Sequence, residues 1–229
     1  MHRKRKSEKI NLIIDTNSLN HLSTLEFNQR KLIKLVLEYF NVYICQVVFE
    51  EFCNGIGKAN QENKATRNLL KKNDRIILYP TKITSKIEET LFNLEYYGSR
   101  SEKDKGERFM VSATIEMVYQ DKFSQSILLT EDQNAIDKFL KTLNNDFHFG
   151  NIWKTLDLIS FLYFKLKIND DEAEKAIRDL IANTSTSTKE YRNDKNITDY
   201  EARLIMLDKN LKRLKNIKEI RSVLAGGNT

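Results

Sequence analysis

Apolar residues along the first 150 positions alternate between short continuous runs and helical spacing. The run Ile10–Ile14 is almost wholly aliphatic and stops at Asp15, which predicts a buried strand that ends in a carboxylate. Similar short runs predict further strands at 42–45, 76–79 and 127–130, with a fifth near 147–149. Apolar residues at helical spacing predict helices at 25–40, 46–54, 58–73, 84–97, 107–119 and 135–143. This alternation favours an α/β fold of three layers, α/β/α, with a central parallel sheet of four to five strands.

The pattern beyond residue 150 predicts a C-terminal helical extension. The apolar segment 155–167 predicts a helix buried on most sides, and acidic residues after Asn169 predict the start of another helix. The last helix, 199–224, carries an apolar stripe of Leu204, Leu207, Leu211, Leu214 and Ile217. We expect the stripe to fold back on 155–167; the alternative is packing on a second copy, as a homodimer, or on an inhibitory partner. The predicted segments are a basic arm at 1–9, an α/β domain at 10–150, the extension at 151–182, a polar linker at 183–198 and the amphipathic helix at 199–229.

Basic residues outnumber acidic ones, giving a net charge of +6 and a pI near 9.1. This balance suits a polyanionic partner such as nucleic acid, although an ordinary lysine-rich surface fits it equally well. Residues that could hold a phosphate backbone lie in the arm at 1–9, in the predicted helix at 58–73, which is basic, and in the charged loop at 98–105. They are Arg3, Lys4, Arg5, Lys6, Lys64, Arg67, Lys71, Lys72, Arg100, Lys103 and Lys105. No apolar run reaches the ~20 residues of a membrane span, and no signal-peptide pattern precedes the first strand, so a cytoplasmic location is expected.

Carboxylates recur where predicted strands end or the helices after them begin. Asp15 closes the first strand, Glu50 and Glu51 lie in the helix after the second, and Glu107 opens a helix. Glu131 and Asp132 follow the fourth strand. Each has an ordinary explanation when taken singly: a helix cap for Asp15, a helix-start charge for Glu107, and solvated positions for Glu50 and Glu131.

Their shared placement favours a metal site. Strand ends of a parallel sheet meet at one edge, where ligands of open α/β sheets bind. Four carboxylates gathered there raise one another's pKa unless a cation neutralises them. Mg²⁺ or Mn²⁺ is the natural partner of such oxygen ligands, and either ion can activate water and stabilise the charge of a phosphodiester under attack.

Four short motifs carry a family resemblance. They are Ile13-Ile14-Asp15-Thr16-Asn17, Val48-Phe49-Glu50-Glu51-Phe52, Gly106-Glu107-Arg108-Phe109-Met110-Val111-Ser112-Ala113-Thr114 and Leu128-Leu129-Thr130-Glu131-Asp132. In this order, over about residues 10–150, the chain resembles the PIN-domain (VapC-like) ribonuclease family.

The resemblance implies catalytic metal ligands at Asp15, Glu51, Glu107 and Asp132, supported by Asn17 and Thr130. Glu51 is preferred to Glu50 because Phe52 matches the apolar position that follows the family's glutamate. Glu107 stands where the family usually has aspartate, and Asp104 is a rival for the third ligand.

The implied activity is metal-dependent endoribonucleolytic cleavage with carboxylate-bound Mg²⁺ or Mn²⁺. Such a protein would be either a toxin restrained by a protein antitoxin or an RNA-processing nuclease. The alternatives are a non-catalytic RNA-binding or scaffolding protein of the same fold and, less favoured, a DNA-cleaving nuclease. A phosphatase using Asp15 as nucleophile is disfavoured, because haloacid-dehalogenase-type enzymes need an aspartate where Asn17 stands.

Overall fold

A computed structural model describes residues 9–27, 29–54, 61–73, 76–97, 105–120, 122, 126–166, 168–183 and 198–226. Its strands are β1 Asn11–Ile14, β2 Glu26–Phe27, β3 Arg30–Lys31, β4 Asn41–Cys45, β5 Ile77–Leu78, β6 Ser126–Leu129 and β7 Asn151–Trp153. Its helices are α1 Thr16–Thr24, α2 Leu32–Tyr39, α3 Gln46–Asn54, α4 Gln61–Lys71, α5 Lys82–Asn93, α6 Lys105–Tyr119, α7 Gln133–Ala135, α8 Lys141–Phe147, α9 Thr155–Leu166, α10 Asp170–Asn183 and α11 Asp199–Gly226. A π-helical segment, Ile136–Leu140, joins α7 to α8.

The central sheet has five parallel strands in the order β5-β4-β1-β6-β7. Strand β1 lies in the middle, and its Leu12, Ile13 and Ile14 are fully buried between neighbouring strands and flanking helices. This explains why its sequence is a continuous apolar run instead of an alternating one. The predicted α/β class, with a parallel central sheet, flanking helices and a C-terminal helix, is confirmed.

All five strands run in one direction, so the carboxyl ends of β1, β4 and β6 share one edge. Backbone pairing continues past the strands there: the amide of Asp15 donates to the carbonyl of Leu129 at 3.0 Å. The amide of Thr130 donates to the carbonyl of Trp153 at 2.9 Å. Residues that follow β1 and β6 are thereby held at fixed positions beside each other.

The fifth strand lies further along the chain than the sequence predicts. Phe147 ends α8, and His148 takes a left-handed conformation with φ of 48°. Gly150 has φ of 154°, and a Cβ there would meet the carbonyl oxygen of Ser126 at 2.2 Å, so only glycine fits. Strand β7 begins after this turn, and the sheet therefore continues past residue 150, the predicted end of the α/β domain.

The segment after β1 also differs from the prediction of one helix over 25–40. Helix α1 begins at Thr16, and a two-stranded antiparallel hairpin, β2–β3, separates it from α2. The sequence of α1 has only Leu19 and Leu22 as large apolar residues, and both are buried. Helical periodicity is too sparse over such a short segment to reveal it.

The C-terminal helices form a layer of their own. Helix α9 is buried through Leu158, Ile159 and Leu162, as its apolar sequence predicts. Helix α11 packs on α9 and α10 of the same chain, with buried residues at four-residue intervals: Ala202, Met206, Asn210 and Leu214. Of the predicted apolar stripe, Leu214 is buried and Leu204 is exposed. Most of the predicted polar linker, residues 184–197, lies outside the described residues.

No helix in the described part of the chain is both long enough and apolar enough to cross a membrane.

Candidate metal centre

Asp15 is buried at the end of β1, where only 1% of its surface is exposed. It caps α1: its Oδ1 accepts a hydrogen bond from the amide of Ser18 at 2.6 Å. Its Oδ2 accepts from the amide of Glu131 at 3.1 Å. Burial raises the pKa of Asp15, an effect that hydrogen bonds from Thr130 and Ser18 only partly offset and the charge of Glu131 reinforces.

Glu51 projects from the middle of α3, the helix that follows β4 without a loop. Its Oε2 accepts a hydrogen bond at 2.6 Å from Oγ1 of Thr16, the residue that follows Asp15 in the chain. A Cβ at Gly106 would lie 3.6 Å from the same oxygen, so the start of α6 closely approaches Glu51. Glu51 and its neighbour Glu50 are both exposed, and Glu50 Oε1 accepts from Gln46 Nε2 at 2.7 Å.

Glu107 lies in the first turn of α6 and is half-buried. Burial, together with the negative charges of Asp15, Asp132 and Glu51, raises its pKa to about 8. A backbone hydrogen bond opposes this shift without cancelling it. The three charges that act on Glu107 are those of the other three proposed ligands, so all four carboxylates lie in one electrostatic environment.

Asp132 follows β6 and caps α7. Its Oδ1 accepts from the amides of Asn134 at 2.8 Å and Ala135 at 3.0 Å. Thr130 is fully buried, and its Oγ1 accepts from the amide of Asp132 at 3.1 Å. Thr130 thus touches both Asp15 and Asp132, the two aspartates carried by adjacent strands β1 and β6.

Glu131 does not have the exposed turn position that the sequence suggests, since only 8% of its surface is exposed. Its Oε1 accepts from the amide of Thr155 at 2.7 Å and lies 3.7 Å from His21 Nδ1. Burial alone would raise the pKa of Glu131, but the nearby imidazole of His21 and the hydrogen bond from the amide of Thr155 outweigh burial and lower that pKa. The residue is held by α1 and α9, and sequence reasoning missed it because neither contact is local.

The four carboxylates form no ion pair with a basic side chain in the part of the chain that the structure describes. Their chemistry, oxygen donors that raise one another's pKa, fits a hard divalent cation. As they stand, no three His, Cys, Asp or Glu side chains among the described residues are grouped closely enough to hold an ion.

The remaining predicted residues differ in exposure, and some lie outside the described residues. Asn17 is exposed on the first turn of α1. Lys64, Lys71 and Lys72 are exposed on or just after α4, which packs against α1, and Lys105 is exposed at the start of α6. Arg67 is half-buried, and its guanidinium donates to the carbonyls of Asn63 and Cys53. Seven predicted residues lie outside the described residues: Arg3, Lys4, Arg5, Lys6, Arg100, Lys103 and Asp104.

Comparison with family models, with curated proteins and with solved structures finds no match to this chain.

Proposed function

We propose that this protein is a metal-dependent endoribonuclease that hydrolyses RNA phosphodiester bonds. Asp15, Glu51, Glu107 and Asp132 would hold Mg²⁺ or Mn²⁺ at the carboxyl edge of the sheet. The PIN-domain resemblance of the four motifs supports this proposal. The alternatives are a non-catalytic RNA-binding or scaffolding protein, which would not cleave RNA, and a DNA-cleaving nuclease, which would cleave DNA instead.

The observation that carries the proposal is the placement of the four carboxylates at one edge of the sheet: Asp15 and Asp132 share Thr130, Glu51 contacts Thr16, and Glu107 begins the helix that approaches Glu51. Burial and the three other carboxylates accordingly raise the pKa of Glu107. Gathering negative charge in a half-buried place costs folding free energy, and no described basic side chain compensates for it. A cation from solution would remove that cost.

Each residue has a distinct part. Asp15 is fixed from two sides by the amides of Ser18 and Glu131, which sets the direction of its carboxylate. Asp132 is fixed by its role as a helix cap and by Thr130. Glu51 and Glu107 are less constrained and would complete the ligand set. A bound divalent cation supplies a nucleophilic water at neutral pH and stabilises the developing charge of the phosphate.

Exposed lysines on α4 support RNA as the substrate. Lys64, Lys71 and Lys72 lie on or next to a helix that packs on α1, the helix that Asp15 caps. Contacts of lysine with a phosphate backbone release counterions, so such binding would weaken steeply with salt. The basic arm at 1–9, with Arg3, Lys4, Arg5 and Lys6, would add to it.

The biological setting belongs to the proposal as well. Two cysteines without a disulfide, Cys45 and Cys53, fit a reducing compartment, and we propose a cytoplasmic location. The nuclease would be either a toxin restrained by a protein antitoxin or an RNA-processing enzyme. A homodimer is a further possible assembly, and sedimentation of the full chain tests it.

The test is incubation of the purified protein with an unstructured RNA in Mg²⁺ or Mn²⁺, with and without EDTA. We expect internal cleavage that EDTA abolishes and added metal restores. A DNA of the same sequence separates ribonuclease from deoxyribonuclease activity. Tight RNA binding without cleavage in either metal would support the non-catalytic alternative and contradict the proposal.

A further inference from the structure

Glu131 joins three elements that meet behind the candidate metal centre. Its amide donates to Asp15 Oδ2 at 3.1 Å, and its Oε1 accepts from the amide of Thr155 at 2.7 Å. The same oxygen lies 3.7 Å from Nδ1 of His21, on α1. One residue therefore connects the loop after β6 with the helix that Asp15 caps and with the first residue of α9.

The side chain of Glu131 has a stable place at the start of α9. The first amides of a helix have no partners within the helix, and its N-terminus attracts negative charge. With its carboxylate held there, Glu131 has little freedom to turn, and its own amide stays directed at Asp15. The other oxygen of Asp15 is fixed by the local amide of Ser18. Both oxygens of Asp15 thus have defined partners, one local and one dependent on Glu131.

We propose that Glu131 is a positioning residue for the metal ligand Asp15, and that it links the orientation of this ligand to α9. This inference rests on the proposed metal-dependent function. Partners that orient a metal ligand change metal affinity by roughly 10–100-fold when they are removed. Glu131 does not contact the reacting atoms in this role; it acts through Asp15.

A matched control exists in Glu116, the other strongly hydrogen-bonded buried glutamate of the described chain. It accepts from Thr81 at 2.7 Å, from Thr84 at 2.5 Å and from Gln120 at 3.0 Å. It lies on α6 nine residues beyond Glu107, about 13 Å along the helix at ~1.5 Å per residue. Its removal should destabilise the fold without changing the metal centre.

The experiment measures Mn²⁺ binding by titration calorimetry and the thermal midpoint of unfolding for wild type and variants. We expect Glu131→Ala to bind Mn²⁺ about tenfold more weakly. Glu131→Gln, which keeps an oxygen acceptor for the amide of Thr155, should bind close to wild type. Glu116→Ala should lower the thermal midpoint and leave Mn²⁺ affinity unchanged.

Thr155→Pro provides a second route if Glu131→Ala fails to fold. Thr155 is the first residue of α9, where proline is tolerated, and the change removes the amide that Glu131 accepts from. We expect weaker Mn²⁺ binding here too.

The positioning role is tested if wild type binds Mn²⁺ and Asp15→Asn does not. In that case it is overturned, with the proposed function left standing, if Glu131→Ala and Thr155→Pro both bind Mn²⁺ with wild-type affinity. It is also overturned if Glu116→Ala weakens Mn²⁺ binding as much as Glu131→Ala does. A wild type without Mn²⁺ affinity overturns the proposed function and this inference together.

Discussion

The C-terminal helical layer and the carboxyl edge of the sheet hold their acidic residues in opposite ways. In the layer, Asp157 pairs with Arg213 and Asp170 pairs with Lys218, each at 2.6 Å. Lys218, with help from Tyr163, lowers the pKa of Asp170. These acids are balanced by bases from the same chain, and the pairs fasten α11 to α9 and α10.

For Glu107 and Asp15, at the sheet edge, the pKa shift has the opposite sign. Burial and neighbouring carboxylates raise the pKa of Glu107 to about 8, and burial raises that of Asp15. No described basic side chain pairs with either residue. The contrast separates acids that pair with a base of the same chain from acids that have no basic partner among the described residues. This contrast is the physical basis for proposing a function at the edge and a structural role for the layer.

The largest expected difference in RNA cleavage is between variants that each lose one acidic charge, one at the sheet edge and one in the helical layer. Asp15→Asn should reduce RNA cleavage by more than the about 100-fold that loss of an outer partner of a metal ligand costs. The fold should persist because asparagine caps a helix as well as aspartate, although stability should fall, since the NH2 group of asparagine cannot accept the hydrogen bond from the amide of Glu131. Asp170→Asn, its counterpart in the layer, should cleave like wild type. Cleavage rates and circular dichroism of both variants check this, and undiminished cleavage in Asp15→Asn would remove the assignment.

Adjacent glutamates on α3 test the same contrast within one helix. Residues next to each other on a helix point about 100° apart, so only one of the pair can face the site. Glu51→Gln should lose at least about tenfold in cleavage rate, whereas Glu50→Gln should keep most of it. The reverse pattern would mean that the ligand register is displaced by one residue.

The pH dependence of stability should differ between wild type and Glu107→Gln. In the folded, metal-free protein Glu107 keeps its proton up to a pKa of about 8, whereas the unfolded chain releases it near 4.5. The free energy of unfolding therefore falls as pH rises between these values, by at most about 1.4 kcal/mol per pH unit from this group. Glu107→Gln should lose this contribution. Urea titrations from pH 5 to 8 measure it, and identical slopes would show that Glu107 is not perturbed.

The smallest effect is expected from the layer's own ion pairs. Arg213→Ala removes a partly exposed pair with Asp157, which contributes between 0 and about 1 kcal/mol. Cleavage should not change. A loss of activity in this variant, with stability near wild type, would show that the layer takes part in catalysis and would weaken the contrast.

Much of the fold follows from the sequence because a buried parallel strand leaves a clear apolar signal. Ile13 and Ile14 lead into Asp15, and Ile127 to Leu129 lead toward Asp132. Once those strands are parallel neighbours, the two aspartates have to lie at the same edge. The choice of Glu51 over Glu50 as a ligand stays a prediction: Phe52 is buried and Glu51 contacts Thr16, but both glutamates are exposed.

Other features depend on contacts that no local pattern carries. The burial of Glu131 requires the amide of Thr155 and the imidazole of His21, which lie on different elements. Strand β7 has three residues, too few for a periodic signal, and its start is fixed by Gly150 packing on Ser126. For helix α1, the one feature of the sequence that indicates a helix is the aspartate that caps its start, Asp15.

The most direct test is to grow crystals in Mn²⁺ and collect diffraction data at the manganese absorption edge. We expect an anomalous peak in bonding contact with Asp15 and Asp132, with Glu51 and Glu107 turned toward it. The peak should be absent in crystals of Asp15→Asn. A well-diffracting wild-type crystal with no manganese at this edge of the sheet, or with manganese only among the paired acids of the helical layer, would contradict this expectation.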